Sequence, residues 1–109
     1  MSQDRRIHTR HKSKLPARLL RGGDLTIEGH IENIGRGGVF FATETLEGVI
    51  EDGSPVTIEF EGSRDGAPLP CSIRGAVLRT ERYFDGHAVV RAFAVKFESQ
   101  LELADIGVA

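Results

Sequence analysis

Arg6 and Arg10 stand four apart in Arg6-Ile7-His8-Thr9-Arg10, with Arg5 directly before them. A guanidinium presents a planar fork of N–H donors that fits two phosphate oxygens or the O6/N7 edge of guanine, and its flat face stacks on a purine. The second group of this kind is Asn33-Ile34-Gly35-Arg36-Gly37-Gly38. Asn33 supplies a donor and an acceptor for a base edge, and Arg36 adds a cation. Gly35, Gly37 and Gly38 permit positive φ or a close approach of backbone N–H groups to a ligand. Taken together, these residue types point to recognition of a guanine nucleotide. Taken singly, the glycines also fit a tight turn with a β-bulge, and the arginines also fit a solvated N-terminus.

The charge distribution separates the two groups. Residues 1–14 hold five bases against Asp4 alone, whereas the remaining residues hold nine bases against fifteen acids. A basic arm is therefore joined to an acidic body. Such a body repels the polyphosphate backbone of long DNA or RNA, so a nucleic-acid polymer is not expected and a small anion is. The 109 residues, 39% hydrophobic and 28% charged, fit one ordinary domain and contain no apolar run long enough for a transmembrane helix. The lone Cys71 closes no internal disulfide, and no apolar stretch of a secretory signal follows the first charges, so a cytoplasmic location is expected.

The elements that must position these residues are strands. In Pro55–Glu61, Val56, Ile58 and Phe60 alternate with Thr57, Glu59 and Glu61; in Leu25–Glu32, Leu25, Ile27 and Ile31 alternate with Thr26, Glu28, His30 and Glu32. Lys14–Arg21, Gly37–Thr43, Cys71–Arg82 and His87–Phe97 are also rich in β-formers, which makes six strands. Gly22-Gly23 reads as a two-residue hairpin turn, and Phe84-Asp85-Gly86 as the last hairpin's turn. Glu44–Ser54 and Gly62–Pro68 read as loops, with Leu46, Val49 and Ile50 free to pack over one end of the domain. Ser99–Ile106 carries a helix-capping pattern, Ser99 with Glu102 three residues on.

Antiparallel strands with one apolar face each must hide those faces, and a closed six-stranded antiparallel β-barrel does so. The expected organisation is all-β. It comprises a flexible basic arm over residues 1–13, a barrel over 14–98, and a short C-terminal helix or tail over 99–109. The expected core is Leu15, Ala17, Leu19, Leu25, Ile27, Ile31, Val56, Ile58, Phe60, Val77, Phe93, Val95 and Phe97.

Other reactive residue types form no constellation. His8 and His11 lack a third local ligand, so no metal is expected, and Cys71 beside Pro70 reads as a packed residue rather than a nucleophile. Arg74, Arg79, Arg82 and Arg91 read as surface residues, with Arg79 near the ligand face if its strand runs beside the arm. No catalytic residues and no cofactor are expected.

An RxxxR arm, a strand pair, a (D/N)xSxxG turn, a later Gly-x-Val strand and a closing Val-x-Phe strand together resemble the PilZ domain. Here the pieces are Arg6–Arg10, Asn33–Gly38, Gly75-Ala76-Val77 and Val95-Lys96-Phe97, in that order along nearly the whole chain. The resemblance implies a bacterial receptor for cyclic di-GMP. Arg6 and Arg10 would grip its phosphates and one guanine, Asn33 would read the other guanine, and Gly38 would admit its approach. Arg5, just before the motif, implies an intercalated ligand dimer. Gly35 departs from the pattern, because it stands where the family has serine and removes a hydroxyl donor. The signal would pass through the arm to an unidentified protein partner. The alternative is a degenerate adaptor of the same fold that binds a protein without nucleotide.

Overall fold

The structure, a computed structural model, describes the backbone of residues 11–100 and the side chains from Leu15 to Gln100. Its elements are β1 (His11–Arg21), β2 (Leu25–Ile34), β3 (Gly38–Thr43), β4 (Pro55–Arg64), β5 (Ala67–Phe84) and β6 (Val89–Phe97). Neighbouring strands are antiparallel and close into a barrel in the order β1-β2-β3-β6-β5-β4. The expected arm and the expected C-terminal helix fall mostly on residues 1–10 and 101–109, outside the described residues. Ser99 and Gln100 themselves are not helical.

Period-two alternation directs the core as elementary geometry requires. Leu19, Ile27, Ile31, Ile58, Val77 and Phe93 are almost fully buried, and the Phe41 and Phe93 rings meet at 6.5 Å between centroids. Leu15 and Leu25, expected inside, are only partly buried at the margin of this cluster. Ile34, Val39, Phe41, Ile50, Cys71 and Ile73 join it. β6 is buried on both faces: Ala42, Val90 and Ala92 form a second, outer cluster against which Phe40 packs.

The turns differ from the sequence reading in two places. The β1–β2 turn spans Gly22–Asp24, three residues rather than two, because Arg21 pairs with Leu25. The stretch Gly62–Pro68 is not a loop. β4 and β5 continue through it, and Arg64 pairs with Ala67 across Asp65-Gly66 alone. Both turn residues have positive φ, 53° and 78°, the conformation that a two-residue hairpin demands and that Asp-Gly tolerates. At the β5–β6 turn, the Asp85 carboxylate accepts the His87 and Ala88 N–H groups, and these bonds hold its pKa below the ordinary value.

Arg91 is not on the surface. It is 4% exposed, and its guanidinium lies 5.1 Å over the Phe93 ring. It donates to the carbonyls of Glu47 (2.7 Å) and Gly48 (2.5 Å), while Arg21 donates to the next carbonyl, Val49. Burial, with Arg82 nearby, lowers the Arg91 pKa. The two arginines hold the β3–β4 loop across the barrel end, with Ile50 buried beneath it and Leu46 and Val49 left exposed. Replacing Arg91 with Ala removes charge-assisted bonds that contribute about 1.5–3 kcal/mol each when buried. The expected outcome is a lower denaturation midpoint and faster amide exchange across residues 45–53. Unchanged exchange there would refute the clamp.

Candidate functional site

Simple alternation along β2 gives Asn33 the same inward phase as Ile31. A β-bulge between Ile31 and Asn33 shifts the register, so that Asn33 pairs with Phe40 and Ile34 pairs with Val39. Ile34 then takes the buried place, and Asn33 joins the outer side with Phe40, where it is half-buried. The bulge is what turns an amide from the core toward the surface, a use to which bulges are well suited.

The turn that follows is tightly braced. The Gly35 N–H donates to the Gly38 carbonyl at 2.9 Å, and the Phe97 N–H donates to the Gly37 carbonyl at 2.9 Å. Gly35 is buried, whereas Arg36 is exposed, with Nη2 at 3.4 Å from Oε1 of Gln100. Among the described residues the glycines with positive φ are Gly22, Gly48, Gly53, Gly66 and Gly86, so the freedom expected of the 35–38 turn is used differently. At Gly38 it is closeness that matters: an added Cβ would lie 2.5 Å from the Val95 carbonyl oxygen on β6. This position requires glycine whether or not a ligand approaches.

Of the candidate residues, Asn33, Gly35, Arg36, Gly37 and Gly38 stand together at one end of the barrel, while Arg5, Arg6 and Arg10 lie outside the described residues. The chain nevertheless leads from one group to the other. His11 pairs with Ile34 and Lys12 with Asn33, so Arg10 directly precedes a residue registered beside the glycine turn.

The surroundings are acidic. An open groove of about 590 Å³ is lined by Glu28, His30, Glu32, Glu44, Tyr83 and Asp85 among others, and Glu32 is the immediate neighbour of Asn33. His30 Nε2 contacts the Glu32 carboxylate. Burial, then Glu32, Asp85 and Glu81, raise the Tyr83 pKa. A second groove, about 580 Å³, lies between Pro16, Arg18, Glu59, Phe60 and Cys71, away from the turn. An anion is thus disfavoured along the groove beyond Glu32, whereas Arg36 and the exposed Lys96, which pairs with Gly38, put positive charge at the turn, and Arg79 lies on the same cross-strand row as Asn33 through Phe40 and Ala94. Among the described residues no group of three metal-ligating side chains is present, and no helix is long and apolar enough to cross a membrane.

The family model for the PilZ domain matches residues 4–107. This chain belongs to the PilZ domain family. No curated protein sequence matches it. Among solved structures, it is similar to the Bacillus subtilis inhibitor of motility MotI/DgrA, at TM-score 0.72 and 13% identity over 91% of this chain and 44% of that one. It is also similar to the PilZ domain of Escherichia coli YcgR, solved with c-di-GMP, at TM-score 0.67 and 14% identity over 87% and 79% of the two chains. A third is the K. pneumonia MrkH–c-di-GMP complex, at TM-score 0.66 and 15% identity over 94% and 48%. The chain therefore spans under half the length of MotI and MrkH, and at these identities the likeness is one of fold. The PilZ motifs are legible in the sequence, and a β-bulge is too, but at the glycines; its place between Ile31 and Asn33 is marked only by the phase break between Ile31 and Ile34.

A Gly38→Ala variant forces β3 and β6 apart at Val95. Overpacking of this kind costs about 1–3 kcal/mol, so a drop of that size is expected in chemical denaturation. An unchanged midpoint would show that the strand pair yields at no cost.

Proposed function

We propose that this PilZ domain is a receptor for cyclic di-GMP, bound on the outside of the barrel between the arginine arm and the glycine turn. The observation that carries this reading is the register of β1, which brings the chain from Arg10 to within two residues of Asn33's own partner, Lys12. It is supported by the family match, which spans both motifs, and by the c-di-GMP bound to the PilZ domain of YcgR and to MrkH.

In this reading Arg6 and Arg10 take the phosphates and one guanine by bidentate hydrogen bonds and stacking. Asn33 takes the edge of the other guanine, and Arg36 adds positive charge at the turn. Arg5 extends the cationic surface enough for an intercalated pair of ligand molecules. The acidic groove beyond Glu32 sets the limit of the site. The chain acts by binding and not by catalysis: ordering of the arm over the ligand changes the surface offered to a protein partner. Ordering costs about 1–2 kcal/mol per residue, which the arginine contacts must exceed.

Gly35 supports a second reading, an adaptor whose nucleotide site has lost its serine hydroxyl. One hydrogen bond to a charged group contributes about 1.5–3 kcal/mol, which corresponds to roughly one to two decades in affinity. Isothermal titration calorimetry with cyclic di-GMP separates the readings. Binding by the natural chain, strengthened about tenfold or more by Gly35→Ser and abolished by Arg6→Ala with Arg10→Ala, is the expected result. Full affinity in the double arginine variant would sink the receptor site as drawn. Binding by Gly35→Ser alone would favour the adaptor.

A further inference from the structure

β5 outruns both of its neighbours. It pairs with β4 only from Ala67 to Ala76, extended to Val77 by bonds with Gly53 and Ser54, and with β6 only from Gly75 to Phe84. Among the described residues, each end of β5 therefore has one side without a neighbouring strand. The end that overhangs β6 carries Pro68 and Pro70, residues that blunt an edge because they cannot donate. The end that overhangs β4 is Leu78-Arg79-Thr80-Glu81-Arg82-Tyr83-Phe84, with neither proline nor lysine. It also leaves large apolar side chains in solvent: Leu78 is 54% exposed, Tyr83 38% and Phe84 68%. The edge starts at a β-bulge between Val77 and Arg79 and carries Arg79, Glu81 and Arg82, which oppose pairing with an arbitrary strand, so it is a template only for a strand whose charges and apolar side chains complement its own.

We propose that Leu78–Phe84 is a self-association edge, on which two copies of this chain pair antiparallel about a twofold axis through Glu81. In this register Leu78 faces Phe84, Arg79 faces Tyr83, Thr80 faces Arg82 and Glu81 faces its own mate. Each position meets a complementary one. The two most exposed apolar side chains of this edge cover each other twice, and Arg79 meets an aromatic ring, a favourable cation–π pairing. The Glu81 pair is neutralised, because Arg79 Nε already lies 2.6 Å from Glu81 Oε2 within one copy and its other nitrogens remain free for the second carboxylate.

Neighbouring registers are worse. A twofold antiparallel pair permits only even shifts, because an odd one sets side chains of opposite faces against each other; a shift of two in one direction sets Arg82 against itself, and like charges directly opposite are destabilising. The shift of two that would pair Arg79 with Glu81 drives Tyr83 and Phe84 into the place already taken by Gly53 and Ser54 beside Val77. The edge is thus self-complementary in one alignment, as a twofold interface requires. This inference does not rest on nucleotide binding.

Analytical ultracentrifugation of the full chain without nucleotide is the test. The natural sequence is expected to show a concentration-dependent dimer. Glu81→Lys and Arg79→Glu each place four like charges at the axis and should raise the dimer dissociation constant about tenfold or more. An equimolar mixture of the two variants should dimerise again, which a folding defect in either would not allow. A natural chain that stays monomeric at its solubility limit overturns the proposal and leaves the edge to a strand from a different protein. A dimer that persists in both variants overturns it as well, because another surface must then hold it.

Discussion

Everything in this barrel depends on the short contact between β1 and β4, from Ala17 opposite Phe60 to Leu20 opposite Thr57. Every strand turns an apolar face to the core, and an open sheet of six would leave two unpaired edges and a half-exposed core. Four register pairs close the ring and remove both costs together. Closure also fixes where β1 begins, and therefore where the basic arm is delivered. The arm arrives beside Ile34 because the β1–β2 register, with Leu19 opposite Ile27 and Leu15 opposite Ile31, shifts once between Leu15 and Lys12 and so brings His11 opposite Ile34.

Within that frame, the candidate site is made by irregularity. A regular β2 would bury Asn33 beneath Ile31's neighbours, and the bulge instead pairs it with Phe40 on the outer side. The glycine turn then fits because Gly38 carries no Cβ to meet Val95. The site is an outward, braced surface beside an acidic groove, so electrostatics defines it more than shape does.

Much of the fold was legible from alternation alone. Val56, Ile58 and Phe60 placed β4, and Phe93, Val95 and Phe97 placed the inward face of β6. Legibility failed where a residue's role depends on a distant one. Arg91 reads as a surface cation because nothing local reveals the Glu47 and Gly48 carbonyls waiting inside the barrel end. Asp65-Gly66 reads as part of a loop because Pro68 and Pro70 interrupt the strand pattern, although the Asp-Gly pair itself is a strong hairpin signal. The motifs of the site were plain in the sequence, but the outward aim of Asn33 needed the register of β3.

The bonds around the glycine turn also have a mechanical meaning. The incoming chain is registered against it through His11 and Ile34, and the outgoing chain leaves β6 past it, with the Phe97 N–H on the Gly37 carbonyl and Arg36 reaching Gln100. Pull on the outgoing chain would meet the Glu98 N–H bond to the Arg74 carbonyl before the Phe97 bond to Gly37, and pull on the incoming chain would meet the His11–Ile34 pair. The glycine turn thus lies beside the fastenings of both described ends, so whatever grips it sits where the barrel is tethered.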